Sequence, residues 1–160
     1  MKPLKNILKK SNKKINKLAI LFAYAGTIPF IFSSLYVWLI ENTEILKISN
    51  AIVIYSYIIL TFIGGIYWGL GINSNNTKDS FKYYSYSIAP ALICWFLYLL
   101  NFINLVNIIL VIFFLNLSLL IEKLLISNNK KLDWYLLLRV RLNFIVTISL
   151  LVFLLKVIYF

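Results

Sequence analysis

Five apolar stretches, each close to the ~20 residues a helix needs to cross ~30 Å of hydrocarbon, take up most of this 160-residue chain. In lipid every backbone N–H and C=O must find its partner inside the protein, so stretches of this kind fold as helices. They run over residues 18–40, 51–72, 83–100, 102–121 and 142–160. The expected architecture is an all-α integral membrane protein, a single bundle of five transmembrane helices over 18–160 preceded by a basic segment over 1–17. Spans three and four are separated by almost nothing, with Asn101 and Asn104 at the join, which reads as a tight helical hairpin. A water-soluble fold fails on composition: 62% hydrophobic and 13% charged residues, with a mean hydropathy of +0.89, cannot furnish a hydrated surface.

The basic residues sort by gap. Seven lysines precede span one, Lys47 follows it, Lys78 and Lys82 precede span three, and the gap after span three has none. Lys123, Lys130, Lys131, Arg139 and Arg141 precede span five. One side of the membrane thus receives fourteen of the sixteen Lys and Arg. The positive-inside rule puts that side, and the N-terminus, in the cytoplasm and the C-terminus outside. Lys156, four residues from the end, is placed to snorkel to the outer interface.

Aromatic positions agree with this orientation. Trp68, Tyr83, Tyr84, Trp134 and Tyr135 fall near the inner interface, and Tyr36, Trp38, Tyr98 and Tyr159 near the outer one. Ala23-Tyr24-Ala25 superficially resembles a cleavage site, but an apolar run continues past it, so span one reads as an uncleaved anchor. The segment over 1–17 carries Leu4, Leu8 and Ile15 at helical spacing among its lysines. It reads equally as a helix lying in the inner interface or as a disordered lysine-rich tail.

A net charge of +11 would suggest nucleic acid in a soluble protein, but no aromatic platform interleaves these lysines. The partners they imply are the bilayer and anionic lipids at the inner face, each Lys contributing ~1 kcal/mol near the surface, and no nucleic acid. The chain has no histidine, and Cys94 is its single cysteine. Imidazole general-base chemistry, His-ligated haem, CxxC redox chemistry and Cys/His zinc sites lack their residues here. Glu41, Glu44, Asp79, Glu122 and Asp133 all read as lying in or beside loops. With no ionisable group at depth, a proton pump or ion-coupled carrier is disfavoured. No catalytic, cofactor-binding or metal-ligating residue is assigned, and no cofactor is expected.

What the spans do contain is neutral. Gly64, Gly65, Trp68 and Gly69 form a helix-packing motif in span two, in which Gly65 and Gly69 stand as GxxxG and are expected to pack inside the bundle. A dimer face or lipid groove is the other reading of this pair. Pro29 and Pro90 are expected to bend spans one and three, Pro29 freeing a carbonyl near Ala25 that Thr27 or Thr61 would satisfy. The same residues, with Gly64, would alternatively line a small central cavity. Asn116 and Thr147 share a depth, with Asn143 one turn away, and form an expected interhelical polar pair. Arg139 and Arg141, just before span five, read as positive-inside anchors or as contacts to an anionic lipid headgroup.

Taken together, Ala23-Tyr24-Ala25-Gly26-Thr27-Ile28-Pro29-Phe30, the segment from Ile59 to Gly69 with its Gly64-Gly65 and Trp68-Gly69, Pro90-Ala91-Leu92 with Trp95, and Trp134-Tyr135 with Leu138-Arg139 and Leu142 carry a resemblance. The chain resembles the uncharacterised bacterial membrane proteins related to eukaryotic transmembrane protein 69, a mitochondrial protein, from about Leu18 to the C-terminus. Many members of that family carry histidine where this chain has Tyr67. The resemblance implies a multi-pass protein of a bacterial inner membrane, with the mitochondrial inner membrane as the alternative, and brings no activity. The expected function is that of a non-enzymatic accessory or scaffold protein, working through helix packing with a membrane-protein partner or as a homo-oligomer. An oligomeric channel or facilitator for a small neutral solute or lipid is the alternative, and a membrane enzyme comes last.

Overall fold

The computed structural model describes residues 17–126 and 132–159. The expected helix in 1–17 therefore lies outside the described residues, apart from Lys17. Five helical segments are long and apolar enough to cross a membrane, consistent with a multi-pass membrane protein. Many large apolar side chains, Phe22, Phe62 and Trp95 among them, face outward, as a lipid environment allows.

Span one covers Lys17–Tyr36 but is not one continuous helix. α1 (residues 17–25) ends in a turn at Gly26 and Thr27, and α2 (Ile28–Tyr36) begins anew, with Pro29 in its first turn. Proline lacks the N–H that a continuing helix would direct at Ala25, yet it is well accommodated at a helix start. Pro29 thus marks an interruption, not the bend expected of it. The interrupted backbone is satisfied from nearby: the Thr27 hydroxyl donates to the Tyr24 carbonyl at 2.7 Å, and the Tyr55 hydroxyl donates to the Gly26 carbonyl at 2.9 Å. Thr61 instead bonds back to Ile58 in its own helix.

The remaining spans are longer than their apolar runs. α3 (Asn42–Ile72), α4 (Thr77–Leu100), α5 (Asn104–Ile126) and α6 (Asp133–Ile158) all begin or end beyond the hydropathy boundaries. At 1.5 Å per residue the 31-residue α3 exceeds the ~30 Å hydrocarbon thickness, and its first turns carry the exposed pair Glu44 and Lys47. Asn76 caps α4, its side-chain oxygen accepting from the Lys78 N–H at 3.1 Å. Asn101 closes α4 in the left-handed conformation (φ 46°), and the chain reverses directly into α5.

α3 is the central element, packed on α2, α4 and α5, while α6 lies against α2 and α5. α3 and α4 approach each other closely. A Cβ at Gly64 would stand 2.6 Å from the Ser87 carbonyl oxygen and 3.1 Å from Pro90 Cγ, and one at Gly71 would stand 2.7 Å from the Tyr84 ring. These two glycines let α4 close on α3. Gly65 and Gly69 do not, because among the described residues nothing lies within 4 Å of either Cβ position. The GxxxG pair expected inside the bundle is on its outside. Gly65, Trp68 and Gly69 share an exposed strip of α3 with Ile58, Phe62 and Ile72, and only the neighbouring Gly64 faces inward.

This division predicts opposite responses to the same small change. Gly64→Ala forces a methyl onto the Ser87 carbonyl and should destabilise the detergent-solubilised protein by ~1–3 kcal/mol, whereas Gly65→Ala should leave it as stable as wild type or slightly more so. Thermal unfolding of the two variants checks this; equal melting points would contradict the assignment of Gly64 to the α3–α4 contact.

Candidate functional site

Glu122 begins as a residue that hydropathy assigns to a loop. In the structure α5 continues to Ile126, and Glu122 falls on the same face as Val111, Leu115 and Ser118, all buried. Its exposure is 0%. α6 likewise begins at Asp133, well before the apolar run, so Arg139 lies in its second turn and is also buried. The expectation that no ionisable group enters the bundle is corrected here. Both helices extend past their apolar cores because each charge has the other to face.

The contact is a forked one. Arg139 Nε donates to Glu122 Oε2 at 3.0 Å and Nη2 to Oε1 at 3.3 Å, while Nη2 also reaches Ser118 Oγ at 3.2 Å. The Tyr86 hydroxyl, from α4, donates to Glu122 Oε1 at 3.1 Å. Three helices therefore meet at one carboxylate. Tyr67 packs edge-on against Tyr86, with ring centroids 4.6 Å apart, and is wholly buried. With Ile126 these tyrosines form a second, smaller core at this end of the bundle.

Arg139 consequently has its guanidinium committed to Glu122 and does not present it to a lipid headgroup, contrary to one of the expectations above. Arg141 is exposed. Two residues apart on a helix is ~200° of rotation, so the pair could not share a surface.

One turn deeper, a neutral layer continues the polar seam between α5 and α6. Asn143 Nδ2 donates to Asn116 Oδ1 at 2.8 Å, and Asn116 Nδ2 donates to Thr147 Oγ1 at 3.3 Å and to the Ile112 carbonyl at 2.8 Å. The structure thus brings Asn116, Thr147 and Asn143 together. At the opposite end the Tyr57 hydroxyl donates to Asn107 Oδ1 at 3.2 Å, and Lys156 Nζ sits 5.6 Å from the Trp38 ring centroid.

Pro29, Gly64 and Pro90 do not converge on a common cavity. Gly64 and Pro90 are in contact, and a cleft that none of the three lines opens between α1–α2, α3 and α6, bordered by Gly26, Thr27, Phe30, Ile63, Arg139 and Asn143 among others. Its volume is about 150 Å³. Among the described residues no group of three or more His, Cys, Asp or Glu is placed to hold a metal ion. Cys94 is buried, its thiol directed at the Tyr57 carbonyl at 3.7 Å, as a packing residue.

The sequence bears on identity at this point. A family of proteins of unknown function (DUF3429) matches residues 15–155, and the chain belongs to it. Neither the curated proteins nor the solved structures gave a significant match. The matched region contains the helices that build the ion pair and the cleft.

Replacing Asn116 by Leu removes both side-chain partners that α6 finds at this layer. The Asn116→Leu variant should lose ~0.6–2 kcal/mol of stability, read as an earlier transition in denaturing-detergent titration. An unchanged transition would show that the neutral layer contributes nothing to holding α6.

Proposed function

We propose that this protein is a small, non-enzymatic accessory or scaffold protein of the bacterial inner membrane, which acts by packing a transmembrane helix of a membrane-protein partner against the Gly65–Gly69 strip of α3. The observation that carries this reading is the open space at the two glycines. Within a helix each Gly costs up to ~1 kcal/mol relative to Ala, and at Gly64 the cost is offset by the close approach of α4. At Gly65 and Gly69 no contact among the described residues offsets it. A groove four residues long, flanked by Phe62, Trp68 and Ile72, fits the close helix approach that small-xxx-small faces support. A second copy of the chain is the other occupant that the groove admits.

In this reading the N-terminus lies in the cytoplasm. The exposed basic residues Lys78, Lys82, Lys123 and Arg141 gather at the end of the bundle where α3 leads into α4 and α5 into α6, and anionic lipids would contact that end, Arg141 among the contacts. The kinship with transmembrane protein 69 belongs to the same proposal and rests on the segments quoted from the sequence. An oligomeric facilitator has less support, because Gly64 against Pro90 fills the region that would have been its path. An enzyme has least, since the one buried carboxylate described is fully engaged by Arg139 and Tyr86.

Purification of the tagged protein from its native membranes in mild detergent tests the proposal. A stoichiometric membrane protein, or a second copy, should accompany wild type and be lost from the Gly65→Leu/Gly69→Leu variant, while the variant's own thermal stability stays within ~0.5 kcal/mol. Retention of the same companions by the variant would reject the α3 strip as the docking face.

A further inference from the structure

α4 and α5 meet at Tyr86 and Glu122. Beyond that contact, toward the start of α4 and the end of α5, a recess of about 640 Å³ opens between them against the end of α3. Leu70, Leu124 and Leu125 give it an apolar surface, and Leu124 is well exposed. Apart from the Tyr83 ring, the rest of its lining is polar: Asn73, Ser74, Asp79 and Lys82. Apolar and charged groups thus share one recess at the end of the spans, where a bilayer changes from acyl chains to headgroups. An amphiphile matches that division.

The polar side chains narrow the choice of headgroup. The turn from α3 into α4 is tied to itself, with Asn73 Nδ2 donating to the Gly69 carbonyl at 2.8 Å and the Ser80 hydroxyl to the Ser74 carbonyl at 3.4 Å. Asn73 Oδ1 is left as an acceptor with no donor among the described residues. Asp79 accepts from Asn76 Nδ2 at 3.1 Å, and its Oδ1 stands 3.9 Å from Lys82 Nζ. The two side chains are 48% and 62% exposed, so their mutual attraction is weak and both stay open to a ligand. The recess therefore offers one ammonium, one carboxylate and one further acceptor.

A headgroup carrying only a phosphate would meet Lys82 but set a second negative charge beside Asp79. A choline headgroup matches both charges, yet its methylated nitrogen has no N–H for Asp79 or Asn73. A primary ammonium joined to a phosphate by two carbons presents opposite charges at a spacing comparable with that of Asp79 and Lys82, and brings three N–H donors, as a lysine does.

We propose that this recess binds the headgroup of a zwitterionic primary-amine phospholipid, of the phosphatidylethanolamine class. Its phosphate accepts from Lys82 Nζ, its ammonium donates to the Asp79 carboxylate with Asn73 Oδ1 as a second acceptor, and its acyl chains leave along Leu124 and Leu125. The weak Asp79–Lys82 contact is exchanged for two contacts to the lipid. Lys78, Lys123 and Arg141 do not line the recess and remain for anionic lipids. The site is independent of the Gly65–Gly69 strip and stands or falls apart from it.

Detergent-purified full-length protein is titrated with dioleoyl phosphatidylethanolamine, phosphatidylcholine and phosphatidylglycerol, with thermal stabilisation as the readout. On wild type, half-saturation should come at about fivefold lower mole fraction for phosphatidylethanolamine than for either other lipid, the factor that ~1 kcal/mol corresponds to and the upper range for an exposed charge pair. Asp79→Asn should abolish the advantage over phosphatidylcholine and shift the preference toward phosphatidylglycerol. Lys82→Gln should weaken phosphatidylethanolamine and phosphatidylcholine alike, since both lose the phosphate contact. Both positions are exposed, so neither change should disturb folding. Water-soluble glycerophosphoethanolamine should not compete, because it lacks the chains that lie on the leucines. Wild type that binds phosphatidylglycerol or phosphatidylcholine as well as phosphatidylethanolamine would overturn the proposal. So would an unchanged phosphatidylethanolamine response in either variant, and equal competition by the soluble headgroup would reject a lipid as the ligand.

Discussion

A carboxylate and a guanidinium removed from solvent inside a bundle form the interaction on which this structure turns. Glu122 and Arg139 are each buried, so either alone would leave an uncompensated charge in a medium that penalises it by several kcal/mol. Paired through two N–H···O contacts they can be accommodated. Ser118 and Tyr86 supply further hydrogen bonds, which lower the cost of such burial. The consequence is geometric. α5 runs past Glu122 to Ile126 and α6 starts before Arg139, at Asp133, so that the two side chains meet helix to helix, and Tyr86 brings α4 to the same site.

The rest of the interior is arranged along the seam that this pair opens. Asn116, Asn143 and Thr147 continue it one turn deeper, and the cleft under the Gly26–Thr27 turn reaches it from the side through Arg139 and Asn143. α1 and α2 are held over that cleft by the Tyr55 hydroxyl on the Gly26 carbonyl and by Phe30 packing against Tyr55, with rings 5.1 Å apart. On the far side of α3, Gly64 and Gly71 admit α4. α3 thus uses one face for the cleft and one for α4, and among the described residues nothing covers the Gly65–Gly69 strip.

The five spans and the hairpin at Asn101 were legible because hydropathy and length suffice to specify them. So was the Asn116 layer, which follows from counting depth on two antiparallel helices. The ion pair was not, because charged residues end an apolar window by definition, and Glu122 and Arg139 were assigned to the loop between spans four and five. A signal was nonetheless present: Leu115, Ser118 and Glu122 recur at helical spacing, as do Arg139, Asn143 and Val146. Continuing those faces through the charges would have paired them. The glycines misled for a different reason. GxxxG states that two small residues share a face of α3, but which face meets a neighbour depends on how α4 packs, and Gly64 and Gly71 took that contact. Arg139 and Arg141 look alike in sequence, yet ~200° of helix rotation gives them opposite surroundings.

The claim on which these relations rest is that Glu122 and Arg139 stabilise the bundle as a pair. A double-mutant cycle with Glu122→Gln, Arg139→Gln and the combined variant, unfolded by denaturing-detergent titration, measures it directly. Each single change should cost ~3–5 kcal/mol, because it strands the remaining charge, and the combined change should cost much less than the sum of the two. Additive losses, or single variants as stable as wild type, would contradict the pairing and with it the account of why α5 and α6 extend beyond their apolar runs.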